Sequence, residues 1–167
     1  AINGTKIFPG DLIIGLPSSG LHSNGYSLVR QVFKGKDLAK WGKALLTPTR
    51  IYVDDIQNLQ AAFRADQKII LGLSHITGGG LVENVPRILP RGRKAIFRRN
   101  AWKRPPLFAE VQRRGNVPES EMWRTFNMGI GMVIVIRPDS LELAKKVLPE
   151  ARLIGEIVAG KHEVEIS

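Results

Sequence analysis

The chain has 167 residues, 43% of them hydrophobic and 24% charged, a composition typical of a folded domain with a sizeable core and not of a disordered segment. It contains no cysteine, which excludes disulfides, a thiolate nucleophile and a cysteine-bound metal. The formal net charge of +10 favours partners that carry negative charge, such as nucleic acids or phosphorylated metabolites.

In the first half of the chain, apolar runs alternate with helix signals. Thr47 and Pro48 are a typical N-cap and first helical residue, so they predict a long helix that begins there and ends near Ala65. The apolar face of this helix is expected to consist of Tyr52, Ile56, Leu59 and Phe63. The other predicted elements are a strand over 11–16, a helix over 25–33, a loop or weak helical turn over 34–43, a strand over 68–76 and a helix over 80–89 that Pro86 kinks or delimits.

The second half continues the alternation. Its predicted elements are a strand over 94–98, a helix from Pro105-Pro106 to Gly115, a helix over 118–126, a strand over 131–136, a helix over 140–148 and a closing hairpin of strands 153–158 and 162–166. This order predicts an α+β (layered α/β) fold with a mixed β-sheet flanked by helices. We find no repeat or linker, so residues 1–167 are expected to form a single domain.

No stretch of the sequence is long enough for a membrane-spanning helix. The apolar runs are far shorter than the ~20 residues that a bilayer requires. The first residues also lack the charged start and long apolar stretch of a secretory leader. We therefore expect a cytoplasmic protein without a membrane partner.

Three polar segments, 18–27, 74–83 and 124–131, lie beside strand ends and are able to converge. The first combines serines, His22 and Asn24 directly after a buried strand, a pattern that favours a ligand loop with backbone N–H groups free to bind an anion. The triple glycine 78–80 suits either close approach to a phosphate or a tight turn. Neither a Walker nor a dinucleotide-binding pattern is present.

Single residues near these segments each have a structural alternative. Asn84 and Arg87 follow the glycines, and Arg87 can either contact a phosphate or lie free on the surface. Arg124 and Asn127 either bind a ligand or belong to a capped helix end. The three histidines, His22, His75 and His162, have no metal-ligand spacing, so we predict no metal site in this chain.

Long strings of the sequence resemble one family. They are Ser-Ser-Gly-x-His-Ser-Asn-Gly-Tyr-Ser-Leu-Val-Arg at 18–30, Leu-x-Pro-Thr-Arg-Ile-Tyr-Val at 46–53, His-Ile-Thr-Gly-Gly-Gly at 75–80 and Arg-Thr-Phe-Asn-Met-Gly-Ile-Gly at 124–131. From about Gly10 onward, the chain resembles the C-terminal domain of phosphoribosylformylglycinamidine cyclo-ligases, also called aminoimidazole ribonucleotide synthetases. The resemblance implies ATP-dependent ring closure of formylglycinamidine ribonucleotide in purine synthesis.

The resemblance also implies partners and site residues. ATP and magnesium would bind chiefly through an N-terminal domain that has no match here, and the full-length enzyme would be a homodimer. The chain would then be a C-terminal substrate-binding domain, inactive alone. His22 or His75 would transfer protons, and the substrate-binding residues would be Ser18, Ser19, Gly20, Ser23, Asn24, Thr77, Gly78, Gly79, Gly80, Asn84, Arg87, Arg124 and Asn127.

Two alternatives remain. Formylglycinamidine ribonucleotide synthetase, selenophosphate synthetase, thiamine-monophosphate kinase and a hydrogenase maturation protein share the architecture, so another ATP-dependent reaction of this group fits. A nucleic-acid-binding module is the second, because seven basic residues with Phe97 and Trp102 between them lie in 91–104. We favour a solvated strand and loop over nucleic-acid binding for this basic segment.

Overall fold

Six strands form one mixed sheet in the computed structural model, which describes residues 2–167. They are β1 (Leu12–Pro17), β2 (Gly72–His75), β3 (Arg93–Phe97), β4 (Ile130–Ile136), β5 (Arg152–Ala159) and β6 (Glu163–Ile166). Their order across the sheet is β2-β4-β1-β5-β3-β6. Neighbouring strands are antiparallel except β3 and β6, which run parallel.

Helices cover both faces of this sheet. They are α1 (Tyr26–Val32), α2 (Lys36–Leu45), α3 (Val53–Ala65), α4 (Gly80–Asn84), α5 (Pro106–Gly115), α6 (Glu119–Thr125) and α7 (Leu141–Val147). Alternate residues of a strand point to opposite faces. On β1, Ile13 accordingly joins the core with α1, α2 and α4–α6, whereas Ile14 and Leu16 join the core with α3 and α7. The predicted fold class, a mixed sheet flanked by helices, is confirmed.

The predicted closing hairpin is wrong. β5 and β6 do not pair, because β3 lies between them and bonds to both. Lys94 of β3 forms ion pairs with Glu163 and Glu165 of β6, and the half-buried Val164 and Ile166 pack against the core. A short connection between two strands predicts a hairpin from local sequence alone. Such a pattern cannot reveal a strand inserted from elsewhere in the chain.

Two predictions before α3 are also wrong. Residues 36–45 form the helix α2, in which Trp41 and Leu45 pack against the core, and not a loop. The helix predicted to begin at Thr47-Pro48 begins at Val53. The intervening segment, 46–52, stays outside any helix because it contacts the loop that follows β1. Pro48 O accepts a hydrogen bond from Ser19 Oγ, and Arg50 N–H donates one to His22.

Antiparallel pairing brings the three polar segments to one edge of the sheet. The end of β1 lies beside the beginning of β4, with Pro17 opposite Ile130. The end of β2 lies on the other side of β4, with His75 opposite Met132. The loops that follow β1 and β2 and the loop that precedes β4 therefore meet.

Within residues 2–167, no helix is both long enough and apolar enough to cross a bilayer.

Candidate functional site

The loop after β1 is tied to the segment before β4 by three hydrogen bonds. Ser18 N–H donates to Gly129 O at 2.9 Å, and Ser18 Oγ donates to Asn127 Oδ1 at 3.0 Å. Asn127 Nδ2 donates to Gly20 O at 2.8 Å. Asn127 is fully buried and its amide is satisfied within the chain, so it holds the loop in place and does not face a ligand.

The glycine loop is held by Asn84 in a similar way. The buried Asn84 amide donates to Gly78 O at 3.1 Å and to Gly80 O at 2.8 Å, and it accepts a hydrogen bond from Thr77 Oγ1. Gly79 has φ +96°, and any side chain on Gly80 would overlap the carbonyl oxygen of Phe126. The backbone conformation at Gly79 and the lack of space at Gly80 therefore both require glycine. Gly78 has neither constraint and is exposed beside Asn24 Oδ1.

His22 lies at the centre of the site. It is 5% exposed and has φ +52° in the left-handed region, a conformation that is uncommon for a residue with a side chain. Its Nε2 accepts N–H hydrogen bonds from Ser19 at 2.9 Å and Arg50 at 3.3 Å. Two donors at Nε2 assign the proton of the neutral ring to Nδ1. Within the described residues, Nδ1 is buried and has no hydrogen-bond partner.

The surroundings of His22 disfavour its charged form. Burial, together with the nearby His75 and the Arg50 guanidinium, lowers the pKa of His22 to about 4. His22 is therefore neutral near pH 7. It can donate a hydrogen bond through Nδ1, and the lowered pKa makes it a weak proton acceptor. Proton transfer by His22 or His75 stays a prediction.

This pKa gives a testable pH dependence of stability. Between pH 6.5 and about 4 the unfolded chain binds more protons at His22 than the folded chain, so the free energy of unfolding should fall as pH is lowered through this window. We expect His22→Gln to have a shallower dependence, measured by urea unfolding across the window. His162→Gln is the control, since His162 is exposed. Equal slopes for His22→Gln and the unsubstituted chain would contradict this prediction.

Arg50 and Tyr52 belong to the site, although the sequence analysis placed them in a helix. Tyr52 Oη donates to Pro17 O at 2.7 Å, and burial raises the pKa of this phenol well above its ordinary value. The Arg50 guanidinium is held by Asp55 at 3.1 Å and by Glu150 at 2.8 Å, and it lies over the Tyr52 ring. The family string at 46–53 was the signal that could have indicated these two residues.

Gly131 provides the space in which Tyr52 and His22 meet. A Cβ at this position would overlap the Tyr52 hydroxyl and would lie 2.7 Å from His22 Cε1. The φ of Gly131 is not in the left-handed region, so the requirement for glycine is steric. No local pattern in the sequence indicates this role of Gly131.

His75 completes an aromatic cluster and faces outward. Its ring centroid lies 6.3 Å from that of His22 and 5.9 Å from that of Tyr52. It is exposed at the end of β2, on the wall of a cleft of about 510 Å³. We call this the Ile51 cleft; its wall includes Ile51, Tyr52, Val53, Ile56, His75 and Met132.

Other predicted site residues differ in their availability. The N–H groups of Ser18 and Ser19 are paired within the chain, so the expected anion site on those two groups is wrong. Within residues 2–167, the N–H groups of Gly78 and Gly79 donate to no acceptor. Ser23 is exposed, and Asn24 donates to His22 O at 2.9 Å. Arg87 and Arg124 are exposed, and no contact in the described chain joins them to the loops.

Four of the seven basic residues in segment 91–104 form ion pairs with acidic partners. Lys94 pairs with Glu163 and Glu165, and Arg98 pairs with Glu156. Arg99 and Arg104 both approach Glu119. Trp102 points inward and donates to Met128 O. These contacts favour the solvated strand and loop over a nucleic-acid surface.

Crystal structures with the same fold include E. coli HypE, a hydrogenase maturation protein, with a TM-score of 0.63 at 18% identity over 99% of this chain and 48% of HypE. Thiamine monophosphate kinase from Aquifex aeolicus has a TM-score of 0.61 at 16% identity over 99% and 53% of the two chains. A HypE structure in complex with ATP has a TM-score of 0.59 at 15% identity over 98% and 49%. Fold and site therefore define a layered α+β domain that forms about half of a longer chain in these proteins.

Sequence comparison identifies the family. Residues 9–167 match the model of the AIR synthase related protein, C-terminal domain, and the chain belongs to this family. It is 46% identical to a phosphoribosylformylglycinamidine cyclo-ligase of Desulfitobacterium hafniense, over 97% of this chain and 50% of the relative. The enzyme of that name from Caldanaerobacter subterraneus is 48% identical over 96% and 50%. The chain thus spans about half the length of these curated relatives.

Proposed function

We propose that this chain supplies the formylglycinamidine ribonucleotide side of the active site of a phosphoribosylformylglycinamidine cyclo-ligase. The observation that carries the proposal is the identity of 46% to a relative of that name over 97% of the chain. The convergence of loops 18–24 and 75–80 around His22 supports it, since these loops contain the strings that resemble the family. The compartment we propose is the cytoplasm.

The reaction requires activation of an oxygen and closure of a ring. ATP transfers its γ-phosphoryl group to the formyl oxygen of the substrate and leaves as ADP. A nitrogen of the same substrate then attacks the formyl carbon, and the phosphorylated oxygen departs as inorganic phosphate. The protein's part in such chemistry is mainly to position the groups and to stabilise charge as it develops.

Different residues of the site would donate a hydrogen bond to the substrate, accept its proton and bind its phosphate. His22 Nδ1–H is neutral, buried and without an internal partner, and it would donate a hydrogen bond to a substrate oxygen when substrate binding exposes it. The exposed ring of His75 would accept the proton lost from the attacking nitrogen. The N–H groups of Gly78 and Gly79 would bind the ribose phosphate, which would lie close to Asn24 Oδ1 and to the Glu83 carboxylate. Arg87 and Arg124 would add charge at the rim of this site.

We propose that ATP and magnesium bind to the other half of the full-length enzyme, to which this chain has no similarity. Within residues 2–167, no group of three or more His, Asp or Glu side chains could hold a metal ion. Of the carboxylates beside the site loops, Asp55 is already paired with Arg50, and Glu83 lies against Gly79. The residues present therefore do not fit a magnesium site, and no step of the chemistry above depends on one in this chain. A homodimer is proposed for the two-half enzyme.

The test is to compare the chain alone with a joined enzyme. In the joined enzyme, the unmatched half of the D. hafniense relative precedes residue 1, because the matching family model describes a C-terminal domain. We expect the 167 residues to fold alone but to show no ATP-dependent conversion of formylglycinamidine ribonucleotide, and we expect the joined enzyme to show it. Turnover by the 167 residues alone would overturn the division of the site between two halves.

Another ATP-dependent reaction of the same superfamily is the second candidate. The fold shared with HypE and thiamine monophosphate kinase favours this candidate. Identities of 15–18%, however, show only that the fold is similar and do not indicate the same reaction. The joined enzyme distinguishes the two candidates, since a kinase or hydrogenase-maturation activity would not consume formylglycinamidine ribonucleotide.

A further inference from the structure

The segment before α3 presents alternate side chains to the site and to solvent. Arg50 and Tyr52 contact the site, whereas Ile51 is 79% exposed and Val53 is 55% exposed. Leu46, at the start of the same segment, is 75% exposed. Single exposed apolar residues are ordinary, but Ile51 and Val53 both line the Ile51 cleft and Leu46 belongs to the same segment, a grouping of the kind that marks an interaction surface.

The Ile51 cleft does not suit a phosphorylated substrate. Among the described residues of its wall, Arg50 is the only lysine or arginine, and its guanidinium is held by Asp55 and Glu150. The rest of the wall is mainly apolar, with Val53, Ile56 and Met132, and Thr49 and Gln57 are its uncharged polar side chains besides Tyr52. An apolar protein surface is the occupant that this wall fits.

The greater length of the relatives indicates which protein surface occupies the Ile51 cleft. The chain matches half of relatives that are about twice as long, so each of them has a second half to place. In such a chain the preceding residues enter at Ile2, which lines a groove with Phe63 and Ile69 at the far end of α3. The Ile51 cleft lies at the near end of the same helix, and His75 connects it to the proposed active site.

We propose that the Ile51 cleft, with Leu46, is the surface on which the other half of the cyclo-ligase docks. This inference rests on the proposed function, since it assumes that half to be the ATP-binding domain. Docking there would cover His75 and exclude water from the site, and the exposed Ile51 would become a buried contact. Interfaces between domains of one chain bury about 600–1,500 Å². A cleft of this size with three flanking apolar side chains can form the central contacts of such an interface.

The absence of cysteine from the chain makes the test direct. Ile51→Cys places a single thiol on the patch, and Leu153→Cys places a matched control on β5, where Leu153 is 40% exposed beside Arg98. The rate of modification by a thiol reagent is measured at each position by peptide mass spectrometry, in the chain alone and in the joined enzyme. We expect Ile51→Cys to react at least tenfold more slowly in the joined enzyme, and Leu153→Cys to react equally in both.

Three outcomes decide the proposal. Equal rates for Ile51→Cys in the two forms would overturn it, whether or not the joined enzyme is active. Protection of Ile51→Cys that rises with the concentration of the chain alone would assign the patch to a second copy of this chain and would also overturn it. Protection in an inactive joined enzyme would support docking while the proposed reaction fails, because labelling does not require turnover.

Discussion

His22→Ala in the joined enzyme is expected to lower kcat/KM at least tenfold. The substitution removes Nδ1–H, the one ring donor of His22 that has no partner within residues 2–167, and with it the hydrogen bond proposed to the substrate. Loss of a donor aimed at developing charge commonly costs about a hundredfold or more in rate. Steady-state kinetics with formylglycinamidine ribonucleotide give the measurement.

The same substitution should also destabilise the fold, which a loop residue chosen only for ligand contact would not do. His22 Nε2 accepts the N–H groups of Ser19 and Arg50, and alanine leaves these donors unpaired at a cost of about 1–3 kcal/mol. Thermal melts measure this loss, and kinetics are recorded well below the melting transition so that unfolding does not enter kcat/KM.

Two further variants, Asn24→Ala and His162→Ala, are compared with His22→Ala. Asn24→Ala should lower kcat/KM at least tenfold with a smaller change in stability, because Asn24 is half-buried and its side chain makes a single hydrogen bond, to His22 O. His162→Ala should change neither quantity, since its exposed ring contacts only Pro86 O. A folded His22→Ala enzyme with unchanged kcat/KM would remove His22 from the reaction.

The sequence predicted those parts of the fold in which local pattern and burial agree. β4 is β-branched and buried on both faces, and α5 begins after Pro105 and ends at Gly115, as predicted. The start of α3 was wrong because Thr47 and Pro48 satisfy the local rule for a helix start. Contacts from Ser19 and His22 hold that segment outside a helix instead. Tertiary contacts overrode local preference at the site itself.

The candidate site was predictable to the extent that it lies at strand ends. Polar loops after β1 and β2 must meet if both strands pair with β4, and this placed His22 near His75. The state of His22 was not predictable, because its neutral ring depends on burial and on the N–H of Arg50. The role of Gly131 was hidden for the same reason, since the side chains that require it come from distant segments.

Gly131→Ala is expected to damage both stability and activity. The added methyl group overlaps the Tyr52 hydroxyl and crowds His22 Cε1, and both rings are buried and hydrogen-bonded in place. Overpacking of this kind costs about 1–3 kcal/mol, occasionally more. Because His22 must move, kcat/KM of the joined enzyme should fall by more than tenfold. Urea unfolding and steady-state kinetics measure the two effects.

Gly42→Ala and Tyr52→Phe show whether the effect is steric and local. A Cβ at Gly42, inside α2, meets no atom within 4 Å, so alanine there should leave the free energy of unfolding unchanged or raise it by up to about 1 kcal/mol. Tyr52→Phe removes the hydroxyl that the new methyl group strikes, so Gly131→Ala should cost less stability in that background than alone. Additive losses would mean that Gly131 does not act through Tyr52. A Gly131→Ala enzyme as stable as the unsubstituted one would show that this part of the site can shift without cost, and the requirement for glycine would then be wrong.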